Sequence, residues 1–332
     1  MFLWGKDGDA LLHFIHFTFA IGAMLTPLYT EPFIVSKDEA FDIHLNTTNE
    51  LSIHKSGNIS KYRFLEGTYS HSISNVHYAF LITGCISFLV SIVFIILYFI
   101  DKTPIKPSSD TLGITKSRDL PFSLQVLIVS IIVFLFLVYS CVEDTFASFL
   151  MTFVVKEFDF VSKSEGAYIT TVFWALFAVG RFFSIFIVKY FNPARLITLC
   201  LFVMTSSLVL FTVSVFLAEV TAMTVFAGLE GLGMAAMFPA IMLWTETELV
   251  KLTSWVSSFI CIGSAFGMMM NPVIVAYLME EVANIWFCYL LLAQAMLTFI
   301  SFLLLLSFNR CYINHKYGKI QQTVTDTDGV SL

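Results

Sequence analysis

The residues that could do chemistry in this sequence are the few polar ones set inside apolar runs. Glu143, Asp144 and Thr145 are consecutive, some 20 residues into a long apolar stretch. Glu230 lies in Gly228-Leu-Glu-Gly-Leu-Gly233, Arg181 follows Gly180, and Asn271 and Gln294 are amides in apolar surroundings. An ionised side chain deep in hydrocarbon costs about 2.5–3.5 kcal/mol on insertion scales, so such residues face one another or a water-filled path. For Glu143, Asp144 and Thr145 the functional reading is a polar turn meeting a ligand or ion. The plain reading is a helix end in water. Neighbouring residues on a helix point about 100° apart, so the two carboxylates meet one point only if the helix breaks. Glu230 is either a ligand- or cation-binding carboxylate or an internally paired structural one.

The same alternatives hold for the rest. Arg181, Lys189 and Arg195 with Glu246 and Glu248 form either a charge network closing one end or independent groups reaching the surface. Phe173 and Trp174 could stack on a ring-shaped solute or simply pack. Asn271 and Gln294 could contact ligand or bond helix to helix. His13 and His16 are read as packing or boundary residues. Among the six cysteines (Cys85, Cys141, Cys200, Cys261, Cys288 and Cys311) no metal or redox spacing appears, and no metal site or cofactor is expected. Hydrolase, nucleotide-binding and zinc-protease motifs are absent, so no catalytic residue is assigned.

The elements holding these residues follow from composition. The chain has 332 residues, of which 58% are hydrophobic and 13% charged. Its mean hydropathy is +0.83. A soluble domain is nearer half apolar and a quarter charged, and the net charge of −6 offers no basic surface for nucleic acid. A membrane-spanning helix needs about 20 mostly apolar residues. Eight stretches are read as such: 10–28, 77–100, 123–150, 167–190, 194–217, 221–243, 254–279 and 285–307. Continuous rather than alternating apolarity excludes barrel strands. The fold class is an all-α polytopic membrane protein. The third stretch, apolar over 121–155, is too long to cross straight; it tilts, breaks or continues outside.

Loop 29–76 carries the sequons at Asn46 and Asn58, which places it outside the cell. Of the 18 Lys and Arg residues, six (Lys37, Lys55, Lys61, Arg63, Lys156 and Lys163) then lie on outer segments and the other twelve on inner ones. That bias agrees with both termini inside. The polar segment 101–122 reads as a cytoplasmic linker between a first unit, 1–100, and a six-helix unit, 123–308, with a polar cytoplasmic tail at 309–332. Gly22-Ala-Met-Leu-Thr26-Pro27 in the first stretch is echoed by Gly267-Met-Met-Met-Asn271-Pro272 in the seventh. Such an echo points to two related halves.

Phe173-Trp174-Ala-Leu-Phe-Ala-Val-Gly180-Arg181 and Phe191-Asn-Pro193-Ala-Arg195-Leu resemble helix eight and the following loop of major facilitator carriers. Gly231-Leu-Gly233 through Pro239 to Glu246 resembles helix ten. Trp4-Gly-Lys-Asp with Leu12-His-Phe-Ile-His through Pro27 is similar to helix five of the sodium-dependent glucose transporter-like branch. The resemblance implies the twelve-helix carrier fold, with the eight stretches matching helices five to twelve and helices one to four missing. It implies a helix seven broken near a central cavity. That makes Glu143, Asp144, Thr145, Phe173, Trp174, Glu230, Asn271 and Gln294 candidate solute contacts, and Arg181, Arg195 and Glu246 candidate gating residues. A hexose as solute, sodium as coupling ion and the plasma membrane as location are what it implies for a full-length form. The eight helices alone would lack most of the N-terminal half of the cavity. Another small organic solute, or a non-transporting regulatory protein, are the alternatives.

Overall fold

The structure, a computed structural model, describes residues 8–30, 76–100, 120–188 and 190–318. The sequons Asn46 and Asn58, most of the linker, Lys189 and the end of the tail lie outside the described residues. Among the described residues every regular element is helical. In chain order these are α1 (Gly8–Thr30), α2 (Val76–Ile100), α3 (Phe122–Glu157), α4 (Lys163–Ile187) and α5 (Pro193–Phe216). Then come α6 (Val220–Met234), α7 (Met237–Trp244), α8 (Ser254–Glu281), α9 (Trp286–Phe308) and α10 (Asn314–Tyr317).

Seven segments are long and apolar enough to cross a bilayer. The expectation was eight. The difference is α1, a helix of 23 residues whose apolar part is confined to Leu12–Thr26. Gly8, Asp9 and two histidines interrupt its apolar character.

Local chemistry sets the helix starts. The Ser162 hydroxyl accepts from the Glu165 N–H, and the Glu165 carboxylate accepts from the Ser162 N–H at 2.8 Å, which starts α4. Asn192 caps α5, with Pro193 in the first turn where no N–H is needed. Thr253 caps α8. The sixth stretch is not one helix. Pro239 cannot donate to the carbonyl four residues back, and the chain breaks between Met234 and Met237 before α7 resumes. A turn of π-helix at Thr245–Leu249 follows α7, and another at Asn309–Ile313 follows α9.

α3 is the element on which the others are assembled. It runs 36 residues without interruption, about 54 Å at ~1.5 Å per residue. The hydrocarbon core is about 30 Å, so α3 tilts or projects beyond it. The break expected at Glu143-Asp144-Thr145 is not there. α8, α9 and α4 all pack on α3, α6 lies between α4 and α5, and α1 lies along α4. One side of α3 is held by rings: Phe146 meets Phe173 of α4 at 5.4 Å and Phe211 of α5 at 5.4 Å, and Phe153 stacks on Phe287 of α9 at 4.6 Å. Such pairs add about 0.5–1.5 kcal/mol beyond area burial. α2 contributes little to this core: among its described side chains beyond His77 only Ala79 is buried.

The opposite side of α3 receives α8 through small residues. Gly263, Gly267 and Asn271 recur every four residues and so share one helix face. A Cβ at Gly267 would lie 2.6 Å from the Leu137 carbonyl oxygen and 3.1 Å from Cys141 Sγ. This is the close approach that its glycine permits. Gly22, the counterpart in the echo, meets nothing within 4 Å among the described residues. The two positions therefore respond differently to the same substitution. Gly267→Val costs about 1–3 kcal/mol by overpacking, whereas Gly22→Val stays within about 0.5 kcal/mol. Thermal unfolding of the two variants in detergent measures this, and equal losses contradict the assigned contact.

Candidate functional site

The polar residues buried at mid-helix fall into three groups. The first is built around Arg181. Its side chain leaves α4 four residues after Phe177, and the residue is 2% exposed. Nη2 donates to Glu143 Oε1 on α3 at 3.3 Å, and Nη1 donates to the backbone carbonyl of His16 on α1 at 3.2 Å. The guanidinium lies over the Phe177 ring at 4.5 Å and near Phe19 at 5.7 Å. A planar cation with several donors suits this double task, and the ring face beneath it replaces part of its lost hydration.

α1 is fixed to the same point a second time. The Ser184 hydroxyl donates to the Arg181 carbonyl at 2.8 Å. Its oxygen also lies 2.8 Å from His13 Nδ1, a hydrogen bond between α1 and α4. His13 is completely buried, and among the described residues its Nε2 and the Nε of Arg181 have no hydrogen-bond partner. The His16 ring lies against Phe238 of α7 at 5.2 Å. One turn before Glu143, the Tyr139 hydroxyl donates to the Met234 carbonyl at 3.0 Å, where α6 ends.

The second group holds three helices together. Asn271 of α8 directs Nδ2 at Thr145 Oγ1 (2.7 Å), the Cys141 carbonyl (3.0 Å) and Gln294 Oε1 of α9 (3.3 Å). Gln294 Nε2 donates back to Asn271 Oδ1 at 2.6 Å. An NH2 group has two hydrogens, so the three acceptors share them. Glu143 and Thr145, two residues apart on α3, thus serve opposite sides of that helix. Asp144 lies between them, half-buried.

The third group is a pair. Glu230 of α6 is completely buried and accepts from the Ser207 hydroxyl of α5. Its other oxygen has no hydrogen-bond partner among the described residues. Among the described residues no hydrogen bond or ion pair links it to the other two groups.

The sequence candidates are therefore divided by the structure. Glu143 joins Arg181, Thr145 joins Asn271 and Gln294, and Glu230 stands apart. Phe173 is part of the aromatic core, with its ring 5.4 Å from Phe146. Trp174 is half-buried beside it and edge-on to Phe177 at 5.3 Å. Of the proposed charge network, Arg195 is exposed at the start of α5 and Glu246 is half-buried in the turn after α7. Glu248 accepts from Asn309 at 3.3 Å. Arg181 finds its ion-pair partner in Glu143, inside the bundle. Tyr139, Phe177 and Ser184 were not singled out by sequence, although each lies three or four residues from Glu143 or Arg181 and so on the same helix face.

Two solved structures of a bacterial sugar carrier superimpose on this arrangement. One, described as the major facilitator superfamily transporter FucP in the outward conformation, gives a TM-score of 0.56 at 16% identity. It covers 91% of this chain and 68% of that one. The other, the Escherichia coli fucose:proton symporter FucP, gives 0.52 at 16% identity over 71% of this chain and 56% of that one. The chain has the major facilitator fold. In sequence it is similar to sodium-dependent glucose transporter 1 of Danio rerio, 27% identical over 90% of this chain and 49% of the relative. The Homo sapiens protein of the same name is 26% identical over 83% of this chain and 51% of the relative. Major facilitator superfamily domain-containing protein 4A of Xenopus tropicalis is 22% identical over 84% of this chain and 63% of the relative. The chain spans about half the length of the sodium-dependent glucose transporters it matches in fish and human. No family model matches it.

With a carrier fold around it, the Arg181–Glu143 pair is testable as a single electrostatic unit. Removing one partner of a buried pair strands the other, at about 3–5 kcal/mol. Arg181→Gln or Glu143→Gln alone therefore lowers thermal stability strongly, while the double substitution recovers most of the loss. The readout is the detergent melting temperature of all four proteins; strictly additive losses contradict a direct pair.

Proposed function

We propose that this chain is the helix five to twelve portion of a major facilitator carrier, and that the complete carrier moves a hexose with sodium across the plasma membrane. In this reading residues 1–100 belong to the N-terminal half, 101–122 is the cytoplasmic linker, and 123–308 forms the C-terminal half. Both termini face the cytoplasm, with Asn46 and Asn58 glycosylated outside. The carrier works as a passive scaffold for solute and ion and makes or breaks no bond of the solute.

The observation that carries the reading is the reciprocal amide pair of Asn271 and Gln294 on Thr145. Neutral donors and acceptors held within the span of three membrane helices match the hydroxyls of an uncharged polyol. They can exchange their mutual bonds for bonds to solute at little net cost. Asp144, half-buried between this group and Glu143, and Trp174, half-buried on α4, complete a set suited to a sugar ring. The similarity to sodium-dependent glucose transporters in two vertebrates supports hexose and sodium by name. Phe173 and Glu230 act structurally in this reading, because one sits in the ring core and the other pairs only with Ser207.

The test is uptake of labelled hexose by a form that carries all twelve helices. Uptake in sodium medium exceeds uptake in choline medium, and Asn271→Ala raises KM about tenfold, the equivalent of one lost hydrogen bond. Equal uptake in choline removes the sodium claim. An unchanged KM removes Asn271 from the solute site. Glu230→Gln leaves the uptake parameters near those of the parent.

A further inference from the structure

We propose that a groove between α3 and α9 holds one acyl chain of an anionic phospholipid, with the lipid phosphate on Lys316 and Arg310. The first and last long helices of the 123–308 unit leave between them an open groove of about 410 Å3. That volume lies within the ~300–1,000 Å3 range of small-molecule sites. Ser130 and Phe134 line it from α3, and Ser301, Leu304 and Phe308 from α9. The walls are otherwise aliphatic, with one hydroxyl on each helix. Along α3 the groove lies about 12–18 Å past Phe122, and along α9 it occupies about the last 10 Å. Half of the hydrocarbon core is about 15 Å, so the groove falls within a single leaflet, the one next to the linker and the tail. α1 packs on α4 and α7, and neither of these forms a wall of the groove.

The chemistry at the groove's mouth decides its occupant. Phe308 stacks on Tyr312 at 5.2 Å, with the ring planes 13° apart. Lys316 Nζ donates to the Tyr312 hydroxyl at 3.3 Å and lies 5.4 Å from the centre of that ring. Groove wall, two rings and an ammonium thus form one continuous line from hydrocarbon to the helix end. Arg310 is exposed in the π-turn between them. From Asn309 to Gly318 the chain carries Arg310, His315 and Lys316 and no carboxylate, and α3 carries no charged residue before Glu143. A sterol would fill the groove and leave these cations without an anion. An anionic headgroup meets them while its acyl chain lies along Leu304 and Phe134. Tyrosine belongs at the level where chain gives way to headgroup. Basic residues beside a groove between spans on the cytoplasmic side suit the anionic lipids of that leaflet. The choice of leaflet rests on the cytoplasmic placement of both termini proposed above; the groove and its charges do not depend on the solute or the ion.

The experiment offers the 332-residue chain in detergent equal amounts of palmitoyl-oleoyl phosphatidylserine and phosphatidylcholine. Retained lipid is counted by native mass spectrometry. Phosphatidylserine is retained over phosphatidylcholine by at least about fivefold, the effect of one basic side chain on an anionic lipid. Arg310→Gln with Lys316→Gln brings the ratio near one. Ser130→Phe, which fills the groove, lowers the retention of both lipids. Ser130, Arg310 and Lys316 are all exposed, so the variants fold as the parent does, and their melting temperatures in lipid-free detergent check this. Equal retention of the two lipids by the parent chain overturns the proposal. So does a preference that survives the two charge substitutions, or retention untouched by Ser130→Phe. Cholesterol retained in preference to phosphatidylserine makes the groove a sterol site and overturns it as well. No hexose or sodium enters these measurements, so a failed uptake test leaves the lipid site standing, and a failed lipid test leaves the carrier reading standing.

Discussion

Placing a guanidinium inside a bundle of membrane helices is the constraint around which the rest is arranged. An uncompensated charge there is expensive, and Arg181 is compensated from three directions. Glu143 supplies the anion, His16 a carbonyl, and Phe177 a ring face. Each comes from a fixed element: α3, α1 and the preceding turn of α4. The pair does not by itself make a stable fold, because desolvation offsets much of its attraction. What it imposes is register. α1 must present the carbonyl of His16 and the ring of His13 one turn apart. α3 must present Glu143 toward α4 while Thr145 points to α8.

That last requirement explains why α3 stays unbroken. A helix broken at Glu143-Asp144-Thr145 could have aimed all three at one point. A continuous helix separates them, and the structure uses the separation. One side of α3 takes a charge pair and the other takes a neutral amide cluster. Gly263 and Gly267 bring α8 close enough for the Asn271 side chain to reach the Cys141 carbonyl at 3.0 Å. The aromatic ladder through Phe146 and Phe153 then holds the remaining flank. Three kinds of interaction, ionic, amide and aromatic, thus meet on a single helix without competing for the same face.

How much of this can be read from sequence follows the range of the interactions. Apolar runs, the Ser162–Glu165 capping box and the Asn192-Pro193 start are local and visible in order of residues. So was the unusual presence of Glu143, Arg181, Glu230 and Asn271 in hydrocarbon. Their partners were not. Glu143 and Arg181 are 38 positions apart and Asn271 and Thr145 are 126 apart, and no periodicity connects such distances. The break between α6 and α7 had a local cause in Pro239 that a reading by apolarity alone passes over. α1 reads as a span from its apolar run, and its histidines as packing or boundary residues; the His16 ring packs on Phe238, and the His13 contact with Ser184 of α4 is not visible in the sequence.

The echo itself acquires a physical meaning from its unequal use. Gly267 and Asn271 share a face that is completely occupied: the glycine touches the α3 backbone and the amide bonds to it. Gly22 and Thr26, with the same spacing, share a face of α1. There the glycine meets nothing within 4 Å among the described residues, and the Thr26 hydroxyl donates to the Gly22 carbonyl at 2.9 Å. A glycine inside a helix costs about 1 kcal/mol relative to alanine and yields nothing unless something approaches. The stability of this chain alone therefore gives no reason for Gly22. Among the described residues α1 is engaged with α4 through His13 and the His16 carbonyl and with α7 through the His16 ring, and Gly22 takes no part in either contact. Gly267 is fixed by its neighbours, whereas Gly22 marks a position of α1 at which the described helices make no close contact.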